Sequence, residues 1–267
     1  VIVKSRRLSS RMEKHSKVTN KSLVFSIESI SVFLVICLLT NLEAKLSLDD
    51  NIGIWLLDEG KGDIIKDSSP NKYDGELTGG KWVEGKFGQA IEFKQGQTAI
   101  IPLDKGSMID KASVIMWLQF TDIVKQQNYF AVWDSGDNRL VPYKDGTNVL
   151  RCWSNQWNVS SDVTVKEDQW YHVANVYDGK TASLYVDGKE KVKQNVPKFE
   201  LSDTPQTAWL ATDKGGNVSA CVIDECIFFS RAVTAEEVND LFTKGIDGAL
   251  NVNNYNKLPT IWGDLKK

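Results

Sequence analysis

The sequence predicts an all-β protein, a two-sheet antiparallel jelly-roll sandwich with one short C-terminal helix. Three observations predict it. Short alternating apolar runs follow one another from Ile52 to Phe229. Asp-Gly dipeptides fall between such runs at 74–75, 145–146, 178–179 and 187–188, a strong short-range hairpin signal. No stretch in that span carries helical periodicity, which leaves a sandwich or jelly roll as the layered solution. A chain of 267 residues can build one such sandwich with a full core.

Trp170 to Val192 is the clearest element. Trp170, His172, Ala174 and Val176 alternate with Tyr171, Val173, Asn175 and Tyr177, so the two sets face opposite ways. Asp178-Gly179 and Asp187-Gly188 then turn the chain twice, giving a three-stranded meander. Further strands are expected at 53–57, 74–78, 89–93, 98–102, 112–120, 128–133, 138–143, 148–153, 207–211 and 219–229. One helix stands apart. Thr234 and Glu237 form a capping box, Val238, Leu241 and Phe242 an apolar stripe, and Gly245 a C-cap.

Charge is unevenly placed. Residues 1–44 hold 7 Lys/Arg and 3 Asp/Glu, a balance of +4; the whole chain has 32 and 35, which leaves −7 for 45–267. An acidic globular part without a basic stripe argues against nucleic acid as a partner. The basic region before Met12 and beyond it, the apolar run Val32–Leu39 and the small residues at Leu42-Glu43-Ala44 have the order of a secretory signal peptide. An uncleaved anchor is the alternative. The organisation expected is therefore a leader at 1–44, a sandwich domain at 45–246, and a tail at 247–267 that packs back through Ile261 and Trp262. The mature protein would be secreted, cell-surface or periplasmic, with no membrane span.

Cys37 leaves with the leader, and Cys152, Cys221 and Cys226 remain. Cys221 and Cys226, five apart on one continuous strand, would face opposite ways. The expected disulfide joins Cys152 to one of them. One histidine beyond the leader and no CxxC speak against a zinc site.

An ordered set of short motifs resembles a known family. It begins with Trp55-Leu-Leu-Asp58-Glu59-Gly60 and Asp67-Ser68-Ser69. It continues through Trp82, Gly85-Lys-Phe87-Gly88-Gln-Ala90, Trp170-Tyr-His172-Val-Ala174 and Leu184-Tyr-Val-Asp187-Gly188. It ends at Ile223-Asp224-Glu225 and Arg231-Ala232-Val233. Together these are similar to the laminin-G-like jelly-roll domains of the concanavalin A-like lectin/glucanase superfamily, in their secreted bacterial form, over about 50–245. The resemblance implies two antiparallel sheets, one concave. It also implies a structural Ca²⁺ held by Asp67 and Asp224, with Asp58, Glu59 and carbonyls around Gly85 as further ligands. Oxygen donors of this kind are what Ca²⁺ takes.

Arg151, Trp153, Asn155 and Trp157 lie two apart, and on one strand they would share a face. Indole faces beside amide and guanidinium groups suit a carbohydrate, with Trp133, Asp134, Asn138, Arg139 and Tyr143 as neighbours. Trp55, Trp82, Trp117 and Trp170 are assigned to the core. Catalysis is not expected. Val222 and Ile227 stand where the glutamates of a Glu-x-Asp-x-x-Glu motif would be, and Asp224 and Glu225, being adjacent, would face opposite ways. Asn158-Val-Ser160 and Asn217-Val-Ser219 match glycosylation sequons. The leading expectation is thus a secreted, non-catalytic module that binds an extracellular polysaccharide or glycoconjugate. The competing one is a structural or adhesive domain that contacts another cell-surface protein, and a glycoside hydrolase or polysaccharide lyase relative ranks behind both.

Overall fold

The computed structural model describes residues 46–103, 109–123, 125–213, 216 and 218–250. The expected leader, and most of the expected tail with Ile261 and Trp262, lie outside them. In chain order the first strands are β1 (Asn51–Trp55), β2 (Ile64–Ile65), β3 (Gly75–Thr78), β4 (Lys81–Glu84), β5 (Gln89–Phe93) and β6 (Thr98–Leu103). The central part supplies β7 (Ala112–Phe120), β8 (Gln127–Asn128), β9 (Phe130–Asp134), β10 (Arg139–Lys144), β11 (Val149–Ser154) and β12 (Asn158–Thr164). The last third supplies β13 (Trp170–Tyr177), β14 (Thr181–Val186), β15 (Lys189–Asn195), β16 (Gln206–Leu210) and β17 (Cys221–Phe229), followed by helix α1 (Ala235–Leu250).

These strands form two antiparallel sheets, as the alternating pattern requires. One runs β15-β14-β13-β7-β17-β5-β4, with β1 also paired to β17; the other runs β12-β11-β10-β9-β16-β6-β3-β2, with β8 on β10. Their inner faces enclose one apolar core, in which Trp55, Phe93, Phe120, Tyr129, Phe130 and Phe228 are fully buried. A side chain of this size stabilises the fold by roughly 2–3 kcal/mol when it leaves water. The core therefore fixes which face of each strand is left outward.

A second apolar cluster lies on the outer face of the first sheet. Ile54, Ile115, Ala174, Val176, Ile227 and Phe229 meet Val238, Leu241, Ile246, Ala249 and Leu250 of α1, and Leu46 joins them. The capping box is present: Glu237 N–H donates to Thr234 Oγ1 at 3.1 Å and Thr234 N–H to Glu237 Oε2 at 2.8 Å. Glu237 also takes a two-pronged bond from Arg231, at 2.7 and 2.8 Å, which ties the helix start to the strand end. Gly245 ends the first helical segment in the left-handed region (φ 67), as a C-cap glycine does. The chain then makes one more helical turn through Leu250, so part of the expected tail is helical and packed on the sheet.

β17 is not a continuous strand. Glu225 has φ 49, and the register against β7 slips between Asp224 and Ile227, which marks a β-bulge. The bulge corrects two expectations. It resets the alternation, so that Cys221 and Cys226 both face the core. It also brings Asp224 and Glu225 to the same side of the sheet rather than opposite sides. No disulfide forms: Cys152, Cys221 and Cys226 are free and buried. Cys152 belongs to β11 of the opposite sheet, and Cys221 and Cys226 sit about 15 Å apart along β17.

Candidate functional site

The outward face of the second sheet carries the site. Leu150 and Cys152 belong to the core, so Arg151 and Trp153 point out; Phe130 and Val132 point in, so Ala131 and Trp133 point out. By the same alternation Val141, Thr207, Trp209, Ile100, Glu76 and Ile64 face outward. Three tryptophans from three strands thus share one surface.

Pairing register sets them in rows that cross the strands. Asn158 lies opposite Trp153, and Trp153 opposite Val141. Val141 and Ala131 pack together beneath the tryptophans. Ala131 lies opposite Trp209, Trp209 opposite Ile100, Ile100 opposite Glu76, and Glu76 opposite Ile64. Among the described residues, the two large apolar side chains left exposed are Ile64 (44 %) and Ile100 (37 %), and both stand in this row. A second, shorter row sets Arg139 beside Trp133 and Thr207.

Arg139 organises the middle of the face. Its guanidinium lies 4.2 Å from the centre of the Trp133 ring and 5.8 Å from that of Trp153. Asp137 accepts from it at 2.6 Å, which neutralises its charge locally. Trp133 and Trp209 meet edge to face at 5.8 Å. Asn155 sits in the turn beyond β11. It accepts from Arg139 N–H at 2.8 Å and donates to the Asp137 carbonyl at 3.0 Å, so it braces the loop that positions Arg139. Arg151 pairs with Asp145 at 2.6 Å. Burial opposes ionisation of that carboxyl, but hydrogen bonds from Thr147, Val149 and Arg151 outweigh it and hold Asp145 down to about 2. Beside Trp153, Asn158 donates to Tyr143 Oη at 2.9 Å.

Of the four residues expected to share a strand face, the structure keeps Arg151 and Trp153 together on the surface and places Asn155 at its edge. Trp157 is elsewhere. Ser154 N–H donates to the Trp157 carbonyl at 2.8 Å, which closes a tight turn over 154–157 and breaks the alternation. Trp157 enters the core, 7 % exposed, against Tyr177 (5.5 Å) and Phe199 (6.1 Å). Trp209 was missing from the expectation. The signal was present in Thr207-Ala-Trp209-Leu, whose small and apolar alternate residues mark the inner face.

The expected calcium residues differ in their partners. Both oxygens of Asp67 are taken up by protein donors: Ile54 N–H and Ser69 N–H on Oδ1, Ser69 Oγ and Tyr73 N–H on Oδ2, all at 2.7–2.9 Å. These donors occupy the directions a cation would need, so Asp67 fits a turn clamp and not a metal ligand. Asp224 differs. It is 0 % exposed; Oδ2 accepts from Phe87 N–H at 2.8 Å, and Oδ1 is buried with no hydrogen-bond partner. A Cβ on Gly85 would stand 2.7 Å from Asp224 Oδ2, and one on Gly88 2.2 Å from Asp58 Oδ1, so the loop wraps both carboxylates by leaving side chains out. Burial pushes Asp224 and Glu225 above the usual carboxylate range, and mutual repulsion with Asp58 adds to it. An orphaned buried carboxylate oxygen in a mutually repelling acidic set fits a hard cation. Among the described residues no three His, Cys, Asp or Glu side chains gather closely enough to hold a metal alone, so backbone carbonyls would complete such a site.

Both acids of the bulge are buried. Glu225 is 6 % exposed, and its carboxylate accepts Ile246 N–H from α1 at 3.1 Å. His172 is 1 % exposed, packed between Trp117 (5.2 Å) and Phe242 (5.8 Å). Trp55 is in the core as expected. Trp117 is buried too, but on the outer face of the first sheet, stacked beneath Phe242. Trp82 and Trp170 are only half-buried.

Residues 95–239 match the family model described as the concanavalin A-like lectin/glucanases superfamily. Among solved structures, the chain is similar to domain 4 of an extracellular arabinanase from Geobacillus stearothermophilus, solved with arabinotriose. That match has a TM-score of 0.61 and 20 % identity, over 72 % of this chain and 98 % of that one. The binding domain of Paraclostridial Mosquitocidal Protein 1 gives a TM-score of 0.56 at 16 % identity, over 73 % of this chain and 52 % of that one. Trypanosoma rangeli sialidase gives 0.53 at 13 % identity, and there the match spans 72 % of this chain but 32 % of the sialidase. At these identities the likeness is one of fold. No curated protein sequence matches the chain.

Proposed function

The chain belongs to the concanavalin A-like lectin/glucanases superfamily, and on that footing we propose that it is a secreted, non-catalytic module that binds extracellular carbohydrate through Trp153 and Trp209, with Trp133 packed beneath as their support. The observation that carries this reading is the placement of three indoles on one outward sheet face beside two paired arginines. Trp133 is 8 % exposed under Arg139, while Trp153 and Trp209 are half-buried against it and keep part of each ring open to a ligand. Apolar walls with a few fixed polar groups are the usual make-up of a sugar site. The arabinanase domain solved with arabinotriose has the same fold and lends support. The basic-then-apolar order of residues 1–44 supports export. The burial of Asp224, Glu225 and His172 supports a non-catalytic role, because a general acid or base must reach its substrate.

The test is affinity electrophoresis through a panel of plant and microbial polysaccharides. Retardation by at least one is expected. Trp153→Ala and Trp209→Ala are each expected to weaken retention roughly tenfold, as loss of an aromatic anchor does. Both side chains are half-buried against the Trp133 cluster, so each variant should melt a few degrees lower yet remain folded at the assay temperature, which a thermal melt checks. Retention that is equal in wild type and both variants would remove the face from the function.

Structural calcium belongs to the same proposal, held by Asp224 and Asp58 with nearby carbonyls, and without Asp67. Bound Ca²⁺ would neutralise the acidic set and fasten the 85–88 loop to β17. At about a hundred times its dissociation constant, an ion that binds only the folded state adds about 2.7 kcal/mol. The expected result is a melting temperature several degrees higher in calcium than in EDTA for wild type, with no such difference for Asp224→Asn. No calcium response in wild type would end this part of the reading.

A further inference from the structure

The face is a line rather than a pocket, and its geometry narrows what it can hold. From Trp153 on β11 to Ile100 on β6 the apolar row crosses four inter-strand steps, about 19 Å at sheet spacing. Each step is close to the advance of one sugar ring along an extended chain. Stacking groups recur along the row at Trp153, Trp209 and Ile100, with the small Val141 and Ala131 forming the floor between them. Beyond Ile100 the row continues to Glu76 and Ile64, and beyond Trp153 to the exposed Asn158. The residues that flank the stretch from Trp153 to Ile100, Asn158 and Glu76, are polar and exposed, and Ile64 beyond Glu76 is itself exposed rather than packed into a wall. A site that captured one terminal sugar would need a wall at one end of that stretch.

Charge narrows it further. The two guanidiniums on the face are each paired, Arg139 with Asp137 and Arg151 with Asp145, both at 2.6 Å. Exposed Glu76 is the next charged group along the row. The face therefore offers hydrogen-bond donors without an excess of positive charge, and the globular part is acidic overall. An anionic chain would meet repulsion with nothing to offset it.

We propose that this face binds a neutral, extended polysaccharide along its interior, laid across the strands from Trp153 to Ile100, an inference that rests on the carbohydrate-binding reading above. Trp153 and Trp209, three strand steps apart, each stack on one sugar unit, Ile100 contacts the unit after Trp209, and chain ends play no part. Binding strength should then grow with chain length until the row is filled.

Isothermal titration with linear arabino-, xylo- and cello-oligosaccharides, from disaccharide to heptasaccharide, tests this, with polygalacturonate as the anionic probe. The expected result is an affinity in one neutral series that rises roughly tenfold or more with length and levels off once the oligomer spans Trp153 to Ile100. Reducing-end modification should leave it unchanged. Ile100→Ser, at an exposed position, should flatten the length dependence while the short oligomers bind as before. A disaccharide that binds as tightly as the heptasaccharide would overturn the extended-chain inference and leave the carbohydrate reading standing. Tighter binding of polygalacturonate would overturn the neutral-ligand part. Sedimentation showing a dimer that Trp209→Ala dissolves would give the face to a second copy and overturn the inference. No binding of any probe would bring down the carbohydrate reading itself.

Discussion

Replacing Lys144 by methionine is expected to destabilise the fold by about 3 kcal/mol, although methionine is close to lysine in volume. Lys144 is 0 % exposed, a rare state for an ammonium group. It persists because Nζ donates to the carbonyls of Ile123 and Lys125 and to Asn148 Oδ1, the last at 2.9 Å. One cation thereby ties Ile123 and Lys125 to the turn after β10. Burial pushes the Lys144 pKa down, and Asp122 and Asp145 push back. Methionine would remove the donor and leave three oxygens without it, each costing roughly 1 kcal/mol. Urea denaturation at neutral pH measures the difference. A loss well under 1 kcal/mol would mean that water reaches those oxygens and that the ammonium is not their main partner.

The second large effect is with acid. Burial pulls His172 down to about 3, and its Nδ1 has no hydrogen-bond partner. Lys86 stands across the Trp117 ring at 4.8 Å, the Asp187 carboxylate accepts the backbone N–H of His172 at 3.0 Å, and burial alone sets the shift, with no carboxylate raising the imidazole. The folded protein therefore keeps this imidazole neutral while the unfolded chain protonates it below about pH 6.5. Unfolding takes up a proton, and stability falls as pH drops from about 6.5 towards 3. The slope approaches about 1.4 kcal/mol per pH unit for one fully buried site. Other groups, the raised carboxyls of Asp224 and Glu225 among them, contribute equally to wild type and to His172→Leu. The difference between the two proteins thus isolates the imidazole. Wild type should lose ground to the leucine variant steadily from pH 6.5 to pH 5. Parallel pH curves would show that His172 is already charged or solvated in the fold.

Much of the architecture could be read from the sequence, because alternation and turn chemistry are local. The strands at 89–93 and 112–120 coincide with β5 and β7, and the Trp170–Val192 meander is β13-β14-β15. Thr234 and Glu237 cap α1 as their spacing requires. Three strands escaped. Ile64–Ile65 is too short to show a period, and Lys81–Glu84 is flanked by Gly-Gly, which reads as a turn. Asn158–Thr164 is mostly polar because its outer side faces solvent. The site was legible in part. Arg151 and Trp153 were placed on a common face, but Trp157 was carried along by an alternation that the Ser154–Trp157 turn interrupts. Trp209 lies 56 residues beyond Trp153, and only the pairing of β16 with β9 brings it to Trp133. The bulge at Glu225 was out of reach for the same reason. A left-handed residue in a run of apolar neighbours has no local signature when its cause is the helix packed above it.

The chain's entry and exit share one side. Leu46 and Leu250 are buried in the same apolar cluster under α1, on the outer face of the first sheet. The tryptophan row occupies the outer face of the second, with the whole thickness of the sandwich between. The first and last described residues, Leu46 and Leu250, are thus both held on the face opposite the indoles, so neither end of the described chain competes with the tryptophan row for the same surface.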